Sequence, residues 1–335
     1  MSPTFPQPPT APSPGVGAAP APWAAAQGPA PGSGQALSPA QEARLRRLLL
    51  VMRRPVSQGL SGAFRSHVRG SGIEFEEVRP YQPGDDVRGI DWNVTARTGE
   101  PHVKTYREER QLEVQLLVDV SASMDFGSAE DSKRQKAAEL AALLAAACSL
   151  SRDALSADLC AAGPPLHVPK GRSSSHWARL HYAVLSHPGG PASGADFAAA
   201  AAGLRRHLRR RHAVFAISDF QGLDGGAWEA ELGSLAASHD VHLVRLTDRF
   251  EQSLPSAGLL RLRDPESGRA LEIDSSNPRL RRAWSQRADE RRAEFERRAA
   301  AFGLPHFSLD TSESSGEVLV GYLRRAARRA TGGRA

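Results

Sequence analysis

The hydrophobic pattern of the chain contains three short apolar runs, at residues 114–118, 212–217 and 240–246. Each run is bounded by polar or turn-forming residues and includes valine or isoleucine, which is typical of strands buried on both faces. Amphipathic helical patterns lie between the runs. This alternation predicts an α/β fold with a doubly wound, mostly parallel, Rossmann-like sheet and helices on both faces.

The pattern changes outside this region, and the changes suggest domain boundaries. Residues 1–37 are rich in Pro, Ala, Gly and Ser and carry almost no charge. Such a segment cannot bury enough apolar surface to offset the entropy lost on ordering, so we expect a disordered tail. Residues 38–111 predict an N-terminal helix and an irregular segment. Residues 112–330 predict the α/β domain, with an inserted β-hairpin at 249–276, and residues 331–335 predict a second disordered tail.

Two local predictions concern residues 38–111. Ser38 and Pro39 are typical of a helix start, and we expect Pro55 to end this helix because proline cannot donate a backbone hydrogen bond. In the following segment acidic residues alternate densely with arginines. This pattern favours an internal ion-pair network that pins the segment to a core and is anchored by Trp92, with a recognition surface as the functional alternative.

Candidate chemistry follows the first core strand. Asp119 ends the apolar run, and Ser121 and Ser123 follow at alternate positions. Ligands bind beyond the carboxyl ends of strands in open α/β sheets, and carboxylate and hydroxyl oxygens suit Mg²⁺ better than zinc. The same residue types also form ordinary turns and helix N-caps, so this short motif is not specific. The strand at 212–217 repeats the arrangement, since Asp219 follows its end.

Composition adds little to this picture. The formal net charge is +6, carried largely by arginine, which is compatible with background composition as well as with a polyanionic partner. Cys148 and Cys160 lie in apolar surroundings and are expected to be ordinary core residues. No run approaches the roughly 18 apolar residues of a membrane span, and the first residues lack the pattern of a signal peptide. We therefore expect a soluble, cytoplasmic protein.

Longer stretches give a more specific signal. GDDVRGIDW at 84–92, then LLVDVSASMDFG at 116–127, and later SDF at 218–220, resemble the bacterial DUF58 family in sequence and in order. The resemblance extends over about residues 56–320. The residues of its front motif are Gly84, Asp85, Asp86, Arg88, Asp91 and Trp92.

The resemblance implies a von Willebrand factor A-like (vWA) domain with a metal-ion-dependent adhesion site, which binds Mg²⁺. Four residues match its ligands: Asp119, Ser121, Ser123 and Asp219. We expect the two aspartates to follow adjacent parallel strands and to line a shallow cup open to solvent. The family commonly has a threonine ligand where this chain has Ala195. Either Ser193 or Asp196 replaces it, or the site is incomplete.

The resemblance also implies a function. Family members resemble non-catalytic partners of MoxR-type AAA+ ATPases that act in chaperone-like assembly or maturation of a client protein. Two alternatives stay open. One is a Mg²⁺-dependent phosphohydrolase with Asp119 as nucleophile, although Ser121 stands where a carboxylate acid/base is expected and no lysine is evident nearby. The other is nucleic-acid binding through the basic runs 204–212 and 323–335, which lack interleaved aromatic residues.

Overall fold

The computed structural model describes residues 39–64, 72–83, 85–109, 112–128, 130–161, 163–189, 196–221, 227–263 and 270–332. The strands are β1 (Gly72–Pro80), β2 (His102–Glu109), β3 (Glu113–Asp119), β4 (Ala154–Cys160), β5 (Leu166–Gly171), β6 (Ala213–Ser218), β7 (Asp240–Thr247), β8 (Leu259–Arg263), β9 (Ala270–Asp274) and β10 (His306–Asp310). The α-helices are α1 (Pro39–Phe64), α2 (Trp92–Thr98), α3 (Lys133–Leu150), α4 (His176–Ser186), α5 (Phe197–His207), α6 (Ala227–Ala236), α7 (Arg249–Gln252), α8 (Pro278–Ala301) and α9 (Ser315–Gly332).

The centre of the molecule is a six-stranded sheet with the strand order β10–β7–β6–β3–β4–β5. Neighbouring strands are parallel, except that β5 pairs with β4 in the antiparallel direction. The chain passes from β3 to β4 on one side and later returns to β6 on the other, so the strand order reverses between β3 and β6. The predicted doubly wound sheet is confirmed, and its topological switch point lies between β3 and β6.

Helices cover both faces of the sheet, and each face has its own apolar core. Leu116 and Val118 of β3 face one core together with residues of α1, α3, α4 and α9. Leu117, between them, faces the other core with residues of α5, α6 and α8. Because both faces are buried, the central strands are continuously apolar, and the three strands predicted from apolar runs are confirmed.

The first helix is longer than the sequence indicated. It continues through Pro55 to Phe64, so the prediction that Pro55 ends it was wrong. A proline within a helix removes the hydrogen bond to the carbonyl four residues earlier. That residue is Val51, which is 69% exposed, so water can satisfy its carbonyl. Beyond the proline, Val56 and Leu60 are fully buried, and their packing holds the second half of the helix.

Ser128, with Asp131 three residues later, fits the pattern of a helix start in the sequence, but α3 does not begin there. The cap is Ser132, whose Oγ accepts the backbone N–H of Gln135, while the Gln135 side chain accepts the backbone N–H of Ser132. Both capping patterns fit the sequence, and only the tertiary fold decides between them. As a result α3 begins at Lys133, and its first turn lies close to the carboxyl edge of the sheet.

Two antiparallel hairpins accompany the sheet. β1 and β2 pair in the segment that we expected to be irregular, and α2 lies in the connection between them. β8 and β9 pair within the predicted insertion at 249–276, which also contains α7. Helix α9 extends to Gly332, past the predicted start of the tail at 331. The predicted tail at 1–37 lies outside the described residues, and the domain boundaries stay predictions.

Candidate functional site

Three of the predicted ligands lie together in the loop that follows β3. Asp119 is the last residue of the strand, and its Oδ1 accepts the backbone N–H of Ser121 at 2.8 Å. Ser121 Oγ lies 3.2 Å from Ser123 Oγ. A short 3-10 turn (Ala122–Asp125) closes the loop. One carboxylate and two hydroxyls therefore form a compact group at the carboxyl edge of the sheet.

The neighbouring strand β6 contributes two more polar residues. Ser218, its last residue, donates from Oγ to Asp119 Oδ2 at 2.6 Å. Asp219 follows directly, and its Oδ1 accepts the backbone N–H of Gln221 at 3.0 Å. Phe220 has a φ of 54°, a left-handed conformation that bulky residues rarely adopt and that is often found at functional sites. The prediction that Asp119 and Asp219 follow adjacent parallel strands is confirmed.

A buried lysine neutralises Asp219. Lys133 Nζ lies 2.6 Å from Asp219 Oδ2 and 2.7 Å from Glu251 Oε1, and the lysine is only 1% exposed. Burial by itself lowers the pKa of Lys133, but the charges of Asp219 and Glu251 and the hydrogen bonds to them outweigh it, so the pKa is raised. Lys133 is therefore a fixed internal cation between two carboxylates.

Asp119 has no such partner among the described residues. It is 1% exposed, and no Lys, Arg or His of that part of the chain forms an ion pair with it. Burial, and then the negative charge of Asp219, raise the pKa of Asp119 to about 6, against hydrogen bonds from Ser121 and Ser218 that favour the ionised form. Near neutral pH the site therefore holds an uncompensated negative charge, which a bound cation would relieve.

These observations test whether the residues fit a magnesium ion. Asp119, Ser121 and Ser123 fit, because they offer hard oxygen ligands and an unbalanced negative charge. Asp219 does not fit as a free ligand, because Lys133 already contacts one of its oxygens. No group of three or more His, Cys, Asp or Glu residues is arranged for metal binding within the described ranges, so an ion here would depend on the hydroxyls.

The expectation that the predicted ligands line a shallow cup open to solvent was wrong. Asp119, Ser121 and Asp219 are at most 2% exposed, and Ser123 is 8% exposed. The polar side chains at this edge are held together by hydrogen bonds and by the ion pairs of Lys133. The ligand group is therefore closed, with Ser123 at its most exposed end.

The replacements considered for the missing threonine are resolved only in part. Ser193 and Ala195 lie outside the described residues. Asp196 is the N-cap of α5, where its Oδ1 accepts the backbone N–H of Ala199 at 2.8 Å. None of the hydrogen bonds that Asp196 makes within the described part of the chain reaches Asp119. The structure thus gives Asp196 a capping role, and its participation in metal binding stays a prediction.

In the front motif, Gly84 lies outside the described residues, and its neighbours stabilise turns. The two oxygens of Asp85 accept hydrogen bonds from the Arg79 guanidinium at 2.7 and 2.8 Å. Asp86 caps a 3-10 turn by accepting the backbone N–H of Arg88. The acidic residues of the motif therefore stabilise local turns.

The end of the same motif begins a helix. Asp91 is the N-cap of α2 and accepts the backbone N–H groups of Asn93 and Val94. Trp92 is 70% exposed, so the prediction that it anchors the segment in a core was wrong. In the part of the segment that the structure describes, the acidic side chains form helix and turn caps and an ion pair with Arg79, and the denser network stays a prediction.

Sequence reasoning missed Lys133, Ser218 and Glu251. Ser218 could have been found, because it immediately precedes Asp219 at the end of a predicted strand. Lys133 stands in the basic stretch KRQK, which looks like an ordinary solvated helix start. Glu251 follows β7, and its approach to the site depends on strand order, which single-sequence patterns do not fix.

Relatives of this chain occur in mycobacteria. The chain is 37% identical over 274 residues to uncharacterized proteins of Mycobacterium bovis and Mycobacterium tuberculosis, covering 82% of this chain and 86% of each relative. It is 33% identical over 141 residues to an uncharacterized protein of Mycobacterium avium, covering 42% of this chain and 80% of the relative.

Solved structures give weaker likenesses. The conserved hypothetical protein BatB from Bacteroides thetaiotaomicron matches with a TM-score of 0.43 and 17% identity, over 65% of this chain and 99% of that chain. The SpRpn10 VWA domain matches with a TM-score of 0.34 and 12% identity, over 64% of this chain and 95% of that chain. At these TM-scores the likenesses carry no functional conclusion.

A family model described as "Protein of unknown function DUF58" matches residues 77–294, more than half of the chain. The matched range contains most of the polar group at the carboxyl edge of the sheet, including Asp119, Lys133 and Asp219, together with the front motif at 84–92. The mycobacterial relatives cover most of the chain at 37% identity. The chain therefore belongs to the DUF58 family.

Proposed function

We propose that the protein is a non-catalytic protein-interaction module whose docking site is the carboxyl edge of the central sheet. In this proposal Asp119, Ser121 and Ser123 hold a Mg²⁺ ion, and a carboxylate of the partner reaches the ion beside Ser123, the most exposed of the three. The observation that carries the proposal is the buried Asp119 carboxylate, which lacks a positive partner among the described residues. Serine hydroxyls are neutral ligands, so the ion would keep most of its charge for the partner.

The charges around the site support a divalent ion. Asp119, Asp219 and Glu251 carry three negative charges when ionised, and Lys133 carries one positive charge, which leaves a net charge of −2. In this proposal Lys133 offsets one of the charges of Asp219 and Glu251, and the net charge of −2 that remains attracts the Mg²⁺. Lys133 then fixes the position of Asp219 without competing for the ligands on β3 and its loop.

The partner that we propose is a MoxR-type AAA+ ATPase, which would act with this protein in assembly or maturation of a client protein. Support for this partner comes from the sequence resemblance at residues 84–92, 116–127 and 218–220. In this model a surface Asp or Glu of the ATPase supplies the bridging carboxylate. Helix α2, on which Trp92 is 70% exposed, would offer additional contact area outside the metal site.

Calorimetry with a purified, nucleotide-free MoxR-type ATPase tests the proposal, because without nucleotide the removal of Mg²⁺ cannot act through the ATPase's own nucleotide site. We expect binding in Mg²⁺ and its loss in EDTA. Asp119→Ala combined with Ser121→Ala should abolish binding in Mg²⁺. Ser151→Ala, a half-buried serine at the far end of α3, should bind like the wild type. Equal heats in Mg²⁺ and EDTA would contradict the metal-bridged mechanism.

The structure gives no support to phosphohydrolase chemistry. Lys133 supplies the lysine that the sequence did not reveal, but its ammonium is held by Asp219 and Glu251 and is 1% exposed. Asp119 is equally buried, so its carboxylate is not exposed for an in-line attack on a phosphoester. Ser121, two residues after Asp119, cannot act as the carboxylic acid/base that such enzymes use.

A further inference from the structure

A cavity of about 440 Å³ lies beside the candidate metal site, between the end of β6 and helix α8. One part of its wall is aromatic, formed by Phe220, Trp228 and Phe295. Five arginines, one glutamine and the two glutamates Glu290 and Glu294 form the rest of its lining. A volume of this size is in the range of small-molecule sites, which combine apolar walls with a few polar groups.

Arg245 is the most unusual group in this cavity. It is on β7, where Val241 and Leu243 face the second core, and strand alternation places Arg245 next in the same row. The residue is only 8% exposed, and its guanidinium lies 5.3 Å from the centre of the Phe295 ring. Within the described part of the chain no side chain or backbone group forms a hydrogen bond or ion pair with this guanidinium.

A buried guanidinium without a hydrogen-bonded anion destabilises the folded state, because no partner offsets the free energy lost on its desolvation. Burial lowers the pKa of Arg245, while the more distant charges of Glu251 and Asp219 act in the opposite direction. Arg245 therefore keeps its five donors available toward the cavity.

The other arginines of the cavity divide into paired and unpaired side chains. Arg298 forms an ion pair with Glu229, and Arg297 forms one with Glu294. Arg291 donates a hydrogen bond to the backbone carbonyl of Glu251. By contrast, Arg287 on α8 is exposed and has no ion pair or hydrogen bond among the described residues. The guanidiniums of Arg245 and Arg287 thus line the same cavity with neither kind of partner in the described part of the chain.

We propose that this cavity binds a small organic anion, whose phosphate or carboxylate group contacts Arg245 and Arg287 and whose apolar body lies against Phe220 and Phe295. Guanidinium groups bind both kinds of oxyanion through paired, charge-assisted hydrogen bonds. The aromatic side of the cavity selects for a planar apolar body over a bare inorganic ion. This site does not depend on Mg²⁺ and is separate from the proposed docking site.

Titration with phenyl phosphate and with benzoate, followed by calorimetry at low salt and in EDTA, tests this proposal. We expect saturable binding of at least one of them, which also tells whether the site prefers phosphate or carboxylate, and no binding of phenol. Arg245→Met should weaken the binding about tenfold or more, since it removes charge-assisted hydrogen bonds.

Arg287→Met is the second variant, because an exposed position tolerates substitution if Arg245→Met fails to fold. It should also weaken binding. Arg292→Met is the control, since Arg292 is exposed on the same helix, pairs with Asp289 and does not line the cavity. Absence of saturable binding of both anions would overturn the proposal, as would wild-type affinity in Arg245→Met or, where that variant does not fold, in Arg287→Met.

Discussion

Asp119 and Asp219 follow adjacent strands, but their surroundings differ. Asp219 is paired with Lys133 at 2.6 Å, whereas Asp119 receives only hydrogen bonds from neutral groups. The sequence could identify both aspartates, since each follows an apolar strand. It could not show that a lysine 14 positions after Asp119 turns back to reach Asp219, because that contact depends on the position of α3 over the sheet.

This difference predicts the effect of Asp119→Asn on stability. The raised pKa of Asp119, about 6 instead of its ordinary value of 3.8, means that ionisation of this side chain opposes folding. Its cost is absent below pH 3.8, where the carboxyl is protonated in both states, and develops fully as the pH rises through 6. In metal-free buffer at pH 7, Asp119→Asn should therefore raise the free energy of unfolding by about 3 kcal/mol. Urea unfolding at several pH values measures this gain.

Asp158→Asn is the matched control. Asp158 is a buried carboxylate of the neighbouring strand β4, but it accepts hydrogen bonds from His167 at 2.6 Å and from Gln115 at 3.2 Å. The substitution weakens satisfied contacts, so it should not stabilise the protein. If Asp119→Asn is no more stable than the wild type at pH 7, the buried charge is not costly, and the main argument for a cation at this site fails.

Among the helices, the contact between α1 and α9 was not visible in the sequence. Gly59 and Gly62 of α1 let the two helices approach closely, since a Cβ at Gly59 would lie 2.8 Å from Leu323 Cβ. The prediction that Pro55 ends α1 was wrong because it used local propensity alone. Burial of the residues after the proline outweighs the tendency of proline to end a helix. By contrast, the core strands were predictable, because burial on both faces leaves an unbroken apolar run.

Two glycine substitutions separate helix propensity from packing. Gly59→Ala should lower the free energy of unfolding by about 1–3 kcal/mol, because the new methyl overlaps Leu323 and forces α1 away from α9. Gly203→Ala, inside α5 with no atom within 4 Å of its new Cβ, should raise it by up to about 1 kcal/mol. Urea midpoints compare the two variants. Equal stabilisation by both would show that α1 does not pack closely on α9.

For the molecule as a whole, the sequence predicted the architecture better than the site. The doubly wound sheet follows from apolar periodicity, and the adjacency of β3 and β6 follows from the strand order expected for that fold. The closure of the site was not predictable, because it depends on Lys133 and Glu251, which come from separate loops and helices around the sheet. No helix in the described ranges is long and apolar enough to span a membrane.

Calorimetric titration of Mg²⁺ into the purified chain, without any partner, tests whether this closed polar group is a cation site. We expect saturable binding of one Mg²⁺ per chain, lost when Ser121→Ala and Ser123→Ala are combined, and retained in Ser151→Ala, which is remote from the loop after β3. No saturable heat in the wild type, or undiminished binding in the double-serine variant, would contradict a Mg²⁺-dependent docking site built on Asp119, Ser121 and Ser123.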